Sequence, residues 1–177
     1  ARLTAQLSHP NVVTLYSDLG LTTQPEIQTE SAEPADFRAV NHMSELFLTD
    51  AVRVSPLQMA IAAAQITNGG KVVKPTLVLA YKNADEQWVL LPNQNSSEIV
   101  PDLDTQSAIN LLQDGENPVW SATAEVVDNK KTVSWYIAGT PSDWQGVPIV
   151  IVVALEDAPP GQAKAIGQSL VDDLITE

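Results

Sequence analysis

Residues 148–156 constrain the fold of this chain most strongly, because they include seven consecutive apolar residues, Ile-Val-Ile-Val-Val-Ala-Leu. A strand that is apolar on both faces is typically covered on both sides, which is the position of a central strand. Two further strands are predicted before it, over residues 119–127 and 132–140, joined by a tight turn at 128–130. A helical apolar repeat ends the chain. The sequence therefore predicts an α+β fold, in which a C-terminal helix packs on a three-stranded antiparallel sheet with strands at 119–127, 132–140 and 148–156.

The preceding residues predict a helical and loop subdomain that contains one hairpin. Pro10 is expected to divide residues 1–19 into two short helices, the second capped by Ser8 or Asn11 and ended by Gly20. Residues 21–50 have little periodicity and predict a long loop. Strand-like segments at 76–81 and 88–91 predict a hairpin, and Asp102 or Asp104 is expected to begin a helix through Leu112. We expect one domain over 1–177, with a helical and loop part at 1–115 and the sheet and last helix at 116–177.

The sharpest local signal lies at Ser55-Pro56-Leu57-Gln58, which has the pattern of a helix start. Ser55 is a favoured N-cap, Pro56 suits the first helical position, and Gln58 can complete a capping box. The following residues are apolar nearly all round, so the helix is expected to be buried. Asn68-Gly69-Gly70 then supplies residues that tolerate a left-handed backbone and ends the helix.

Composition excludes several kinds of function. The chain has 22 acidic residues against 9 lysines and arginines, and this charge of −13 opposes binding to a phosphate backbone. Cysteine is absent, which removes disulfides and thiolate chemistry, and His9 and His42 lack metal-ligand spacing. We therefore predict no metal and no cofactor. The longest apolar run, residues 149–155, is too short to span a bilayer.

A scan for serine nucleophiles is negative. No serine is followed by lysine three residues later, no Ser-x-Asn triplet occurs, and no Gly-x-Ser-x-Gly elbow occurs. A serine without an activating base is a weak nucleophile. The residues alone therefore predict no catalytic constellation.

Residues 54–75 carry a family resemblance. Val54-Ser55-Pro56-Leu57-Gln58-Met59-Ala60, followed by Asn68-Gly69-Gly70 and Lys74-Pro75, is similar to a segment of penicillin-binding protein transpeptidase domains. The segment Ser134-Trp135-Tyr136-Ile137-Ala138-Gly139-Thr140-Pro141 resembles a late strand of the same domains. The resemblance covers most of the chain in the same order. It implies an incomplete β-lactamase/transpeptidase-like fold.

The resemblance also implies where substrate would bind. The family's Lys-[Ser/Thr]-Gly motif would fall on Trp120, Ser121, Ala122 and Thr123, where Trp120 replaces the lysine and Ala122 the glycine. Loss of the cation removes a partner for a substrate carboxylate, and the added side chain crowds the strand edge. We expect a vestigial substrate-binding strand, with a purely structural strand as the alternative. Lys131-Thr132-Val133 looks like a displaced copy that lacks the glycine.

The function implied is that of a C-terminal piece of a transpeptidase domain linked to peptidoglycan synthesis, since the two serine motifs of the family would precede Ala1. We expect this chain to be catalytically inactive, with no catalytic residue of its own. A complete, active parent would bind peptidoglycan stem peptide or β-lactam, anchored at the outer face of the cell membrane. The alternatives are a noncatalytic interaction or scaffold module that retains the fold, and an unrelated acidic α+β binding domain. The strand at 149–155 would have an open edge and could pair copies of the chain.

Overall fold

The computed structural model describes residues 9–27, 53–92, 98–101, 103–115, 117–128 and 131–175. These residues form four helices and five strands. In chain order they are α1 His9–Asp18, α2 Pro56–Thr67, β1 Ala80–Lys82, β2 Trp88–Leu90, α3 Thr105–Leu112, β3 Trp120–Asp128, β4 Lys131–Gly139, β5 Val150–Glu156 and α4 Gln162–Ile175.

Strands β3, β4 and β5 form an antiparallel sheet in that order, which confirms the predicted three-stranded meander. Trp120 pairs with Gly139 across β3 and β4, and Gly139 pairs with Val150 across β4 and β5. The prediction that the apolar run lies at the centre is wrong for the described sheet, because β4 is central and β5 is an edge. Its apolar character has another cause: α2 and α4 both pack against β5 and cover its side chains.

The two faces of β4 pack against different helices, as the alternation of its side chains requires. On one face Tyr136 and Ala138 join a buried cluster with Ala163 and Val171 of α4. On the other face Ile137 packs against a cluster that links α2, α3 and the start of β3. The predicted packing of the C-terminal helix on the sheet is confirmed.

Helix α2 begins as its sequence predicts. The Ser55 hydroxyl accepts a hydrogen bond from the Gln58 amide at 3.2 Å, and the Gln58 side chain accepts one from the Ser55 amide at 2.8 Å. This reciprocal pair is a capping box, and Pro56 occupies the first turn. The helix ends at Asn68, after which Gly69 and Gly70 both have positive φ angles, 65° and 85°.

The other predicted elements are present with changed bounds. Helix α1 begins at His9 and contains Pro10 in its first turn, where the missing N–H is tolerated, and this start excludes Asn11 as the cap. The expected helix before it, most of the loop at 21–50, and Asp102 lie outside the described residues. The hairpin is shorter than predicted, and Asp104 caps α3 by accepting from the Ser107 amide at 3.0 Å.

Candidate functional site

The start of β3 is the predicted substrate-binding strand, and its side chains point alternately to the two faces of the sheet. Trp120 packs in the cluster with Ala63 of α2, and Ala122 lines a cavity on the same side. Ser121 instead bonds to Tyr136, which faces α4. The structure therefore separates the two substituted positions from the Ser121 hydroxyl.

Trp120 is an anchor of the core. Its side chain is 1% exposed, and its indole Nε1 donates a hydrogen bond to the Thr140 carbonyl at 3.2 Å. Gly139, its partner across the ladder, makes room for the ring, since a Cβ there would lie 2.6 Å from the indole. A side chain that is buried, hydrogen-bonded and fitted to a glycine stabilises the fold and presents no charge to a ligand.

Ser121 and Tyr136 form a pair on the opposite face. Burial raises the pKa of the Tyr136 phenol, the hydrogen bond with Ser121 lowers it, and the Asp172 carboxylate raises it. Tyr136 is fully buried, whereas Thr123, its neighbour across the ladder, is exposed. Ser121 is thus occupied by a structural partner, and the only freely exposed hydroxyl of the four predicted positions is that of Thr123.

The wall beside Trp120 and Ala122 is an apolar cavity of about 310 Å³. Tyr16 supplies the one hydroxyl among its described lining residues, and burial raises the pKa of that phenol. These residues are Tyr16, Leu19, Leu21, Val54, Met59, Ala62, Ala63, Ile66, Leu112, Trp120, Ala122 and Ile137. This surface has no cation that could hold a substrate carboxylate.

The Lys131-Thr132-Val133 triplet lies at the opposite end of β4 from Gly139 and Trp120. Lys131 forms an ion pair with Glu156 of β5 at 3.6 Å, and both side chains are well exposed. The triplet is therefore a rim feature of the sheet. As for metals, no group of three His, Asp or Glu side chains in the described part of the chain could hold an ion, and His42 lies outside that part.

Sequence reasoning missed two features of this region. The amide of Gln58, beyond completing the capping box, donates to the carbonyls of Leu21 and Thr23 at 3.1 and 3.2 Å and so fixes the segment after α1. The close fit of Trp120 over Gly139 was also not foreseen. A glycine directly following an alternating strand pattern was the available signal, because such glycines often mark close approach of another group.

Comparison with solved structures shows the fold. The chain matches penicillin-binding protein A from M. tuberculosis in its imipenem acyl-enzyme complex, with a TM-score of 0.71 and 22% identity, over 92% of this chain and 41% of that one. It matches penicillin-binding protein 3 from the same organism with a TM-score of 0.73 and 15% identity, over 99% and 48%. A peptidoglycan glycosyltransferase from Burkholderia ambifaria matches with a TM-score of 0.66 and 15% identity, over 98% and 59%.

The chain thus spans between 41% and 59% of the length of these three structures. No curated protein matches it. Among the described helices, none has the length and apolar character needed to cross a bilayer. The family model for the "Penicillin binding protein transpeptidase domain" matches residues 1–175, so this chain belongs to the penicillin-binding protein transpeptidase family.

Proposed function

We propose that this chain is a transpeptidase-family module that does not acylate with β-lactams, and that it serves peptidoglycan synthesis at the outer face of the cell membrane. The observation that carries the proposal is the burial of Trp120 where the family resemblance expects a lysine. Buried among Ala63 and Ile109, the indole provides hydrophobic packing and no positive charge.

Acyl transfer requires an activated nucleophile and groups that hold the substrate next to it. The 177 residues contain no Ser-x-x-Lys and no Ser-x-Asn sequence. The hydroxyl of Ser121 bonds to Tyr136, whose raised pKa makes the phenol a poor base near neutral pH. This chain therefore supplies neither a nucleophile nor a base at the predicted strand.

Labelling with a fluorescent penicillin tests the proposal. The chain is incubated with the probe, denatured, and examined for fluorescence on a gel, beside penicillin-binding protein A from M. tuberculosis as a protein known to form an acyl-enzyme. We expect no covalent label on this chain and a strong label on the comparison protein. A label on this chain that is lost when the protein is unfolded before incubation would contradict the proposal.

The second candidate is a scaffold module that associates through a strand edge, and the position of β5 favours it. In the described sheet β5 pairs with β4 alone, although α2 and α4 cover both of its faces. Its outer N–H and C=O groups could pair with residues 149–155 of a second copy. Light scattering across a concentration series checks this, since a mass that stays that of one chain would rule it out.

A further inference from the structure

A second cavity lies on the side of α2 that faces away from β3, and its volume is about 430 Å³. Ile61 and Gln65, one turn apart on α2, form one wall. The segment after α1 supplies another wall through Asp18 and Glu26. Two extended segments, residues 72–75 and 98–101, complete the described lining. The volume falls in the range of sites for small ligands.

The walls of this cavity are held by hydrogen bonds within the protein. The Val72 amide donates to the Glu98 carbonyl, and the Val100 amide donates to the Gly70 carbonyl, both at 2.8 Å. On the other side the Gln58 side chain holds the Leu21 and Thr23 carbonyls. Because both walls are fixed without a ligand, binding would require little ordering of the protein.

Gln65 points to the chemistry of a ligand. Its side chain is 2% exposed, and its Oε1 atom accepts no hydrogen bond from the described residues. A buried acceptor without a donor destabilises a fold, and such groups are rare in native proteins. Since Gln65 lines the cavity, a ligand that carries N–H donors could satisfy it.

The charges around the cavity select the sign of the ligand. Asp18, Glu26 and Glu98 contribute three carboxylates, against a single lysine, Lys74. Neither Asp18 nor Glu26 forms an ion pair within the part of the chain that the structure describes, whereas Glu98 has an interaction partner. The net charge of −13 adds to the attraction for cations. A metal ion fits poorly, because no three carboxylates or histidines among the described residues converge.

We propose that this cavity binds an organic cation, namely a primary ammonium or guanidinium group on a short aliphatic stem. The N–H groups donate to Gln65 Oε1, the carboxylates of Asp18 and Glu26 balance the charge, and the stem lies against Ile61 and Val73. The cation can be a free amine or the side chain of a lysine or arginine in a peptide. This proposal does not depend on the absence of acylation, because the cavity and the β3 strand lie on different sides of α2.

Chemical-shift titration of the isotope-labelled chain tests the proposal near neutral pH. The probes are n-butylammonium for a free amine and acetyl-Ala-Ala-Lys-Ala-Ala-amide for a peptide, with n-butanol and the norleucine peptide as neutral controls. We expect saturable shifts of the amides in residues 72–75 and 98–101, with neutral probes weaker by about tenfold or more. Tighter binding of the amine assigns a small-molecule ligand, and tighter binding of the peptide assigns a protein one.

Variants separate a site from general attraction to an acidic protein. Asp18→Asn and Glu26→Gln should each weaken binding of the cationic probe about three- to tenfold. Asp143→Asn, which changes the net charge equally at an exposed loop position outside the cavity lining, should leave the affinity unchanged. Gln65→Leu should raise the melting temperature while weakening binding, because it removes the buried acceptor.

Three results would overturn the proposal: no saturable shift in the unaltered chain, equal binding of the neutral probes, or equal weakening by Asp143→Asn and Asp18→Asn. The Asp18 and Glu26 variants keep the test valid if Gln65→Leu fails to fold, since Glu26 is exposed and Asp18 is half-exposed. The penicillin-labelling result bears on none of these outcomes.

Discussion

The two sides of helix α2 differ sharply in chemistry. Toward β3, Met59, Ala62 and Ile66 line an apolar cavity of about 310 Å³ that Trp120 closes. On the other side, Gln65 lines a cavity of about 430 Å³ whose other described walls carry three carboxylates. The family resemblance predicts polar, substrate-holding groups on the first side. In this chain that side is a packing surface, and the unsatisfied polar group lies on the second.

This difference shows why a fold alone does not assign a site. The sheet, the capping box and the helix that packs on the sheet all follow the family pattern, yet the side chains at the start of β3 do not offer the expected charge. Function depends on those side chains, since one fold can present different chemistry on the same frame. Mutations on each side of α2 can break or sharpen the contrast.

The largest effect is expected from restoring the lysine, as Trp120→Lys. The change removes a buried aromatic ring and places an ammonium group against Ala63 and Ile109. We expect the free energy of unfolding to fall by about 4 kcal/mol or more, because cavity formation and charge burial act together. Urea unfolding followed by circular dichroism measures the loss.

The matched control is Trp88→Lys, because that indole is 69% exposed on the hairpin. Its cost should stay below about 1 kcal/mol, mainly from the lost contact with Lys82. Equal stability of Trp120→Lys and the unaltered chain would show that this side of α2 accepts a charge, and the contrast between the two sides would then be wrong.

The next effect concerns the residue that connects the two sides. Gln58→Ala removes the capping box of α2 and both hydrogen bonds to the carbonyls of Leu21 and Thr23. We expect a loss of about 2 to 3 kcal/mol in unfolding free energy, from the cap and from buried acceptors left without donors. Gln106→Ala, at an exposed position of α3, should cost at most about 0.5 kcal/mol. Similar losses for both variants would contradict the proposed role of Gln58.

A smaller effect is expected in alkaline solution. The pKa of Tyr136 is raised, chiefly by burial, so the folded state holds this proton more tightly than the unfolded state does. Its contribution to stability is complete below the unfolded pKa of about 10 and is lost as the pH rises through the folded pKa. Unfolding free energy should therefore fall above about pH 10.

Tyr136→Phe should remove part of this alkaline decrease, and Tyr16, whose pKa is also raised by burial, should account for another part. Tyr81→Phe, at an exposed hairpin position, serves as the control. If the alkaline decrease is the same in Tyr136→Phe and Tyr81→Phe, the buried phenol does not contribute to it.

The smallest effect is expected at the cap of α3. Hydrogen bonds from Ser107 lower the pKa of the Asp104 carboxyl, so the ionised form stabilises the fold. That contribution is present above the unfolded pKa and is lost as the pH falls through the lowered folded pKa. Asp104→Ala should lower the melting temperature slightly at neutral pH and by less in acid. A decrease that does not change with pH would show that the charge is not involved.

The elements that sequence predicted well depend on neighbouring residues. The capping box joins Ser55 to Gln58, and strand alternation follows from successive side chains. The order of strands and the position of Trp120 depend on contacts between distant segments, such as the indole hydrogen bond to Thr140. The central position assigned to the apolar run was wrong for this reason, since two helices cover β5 as a second sheet neighbour would not.

For the site, sequence located the substituted positions on β3, and their role remains a prediction. Substitution of lysine by Trp120 could not reveal which way the ring points, because one residue of shift in register reverses every side chain of a strand. The cavity beside Gln65 is built from three separate segments with no shared motif. No local pattern could have predicted it.

Trp120 also gives the chain an optical signal of its own. An indole shielded from water emits at shorter wavelength and is poorly quenched by a neutral quencher such as acrylamide, whereas Trp88 should be quenched readily at its 69% exposure. Loss of the shielded emission during unfolding would report when the start of β3 leaves the core. Fluorescence of the unlabelled protein can therefore follow this one strand while circular dichroism follows the helices.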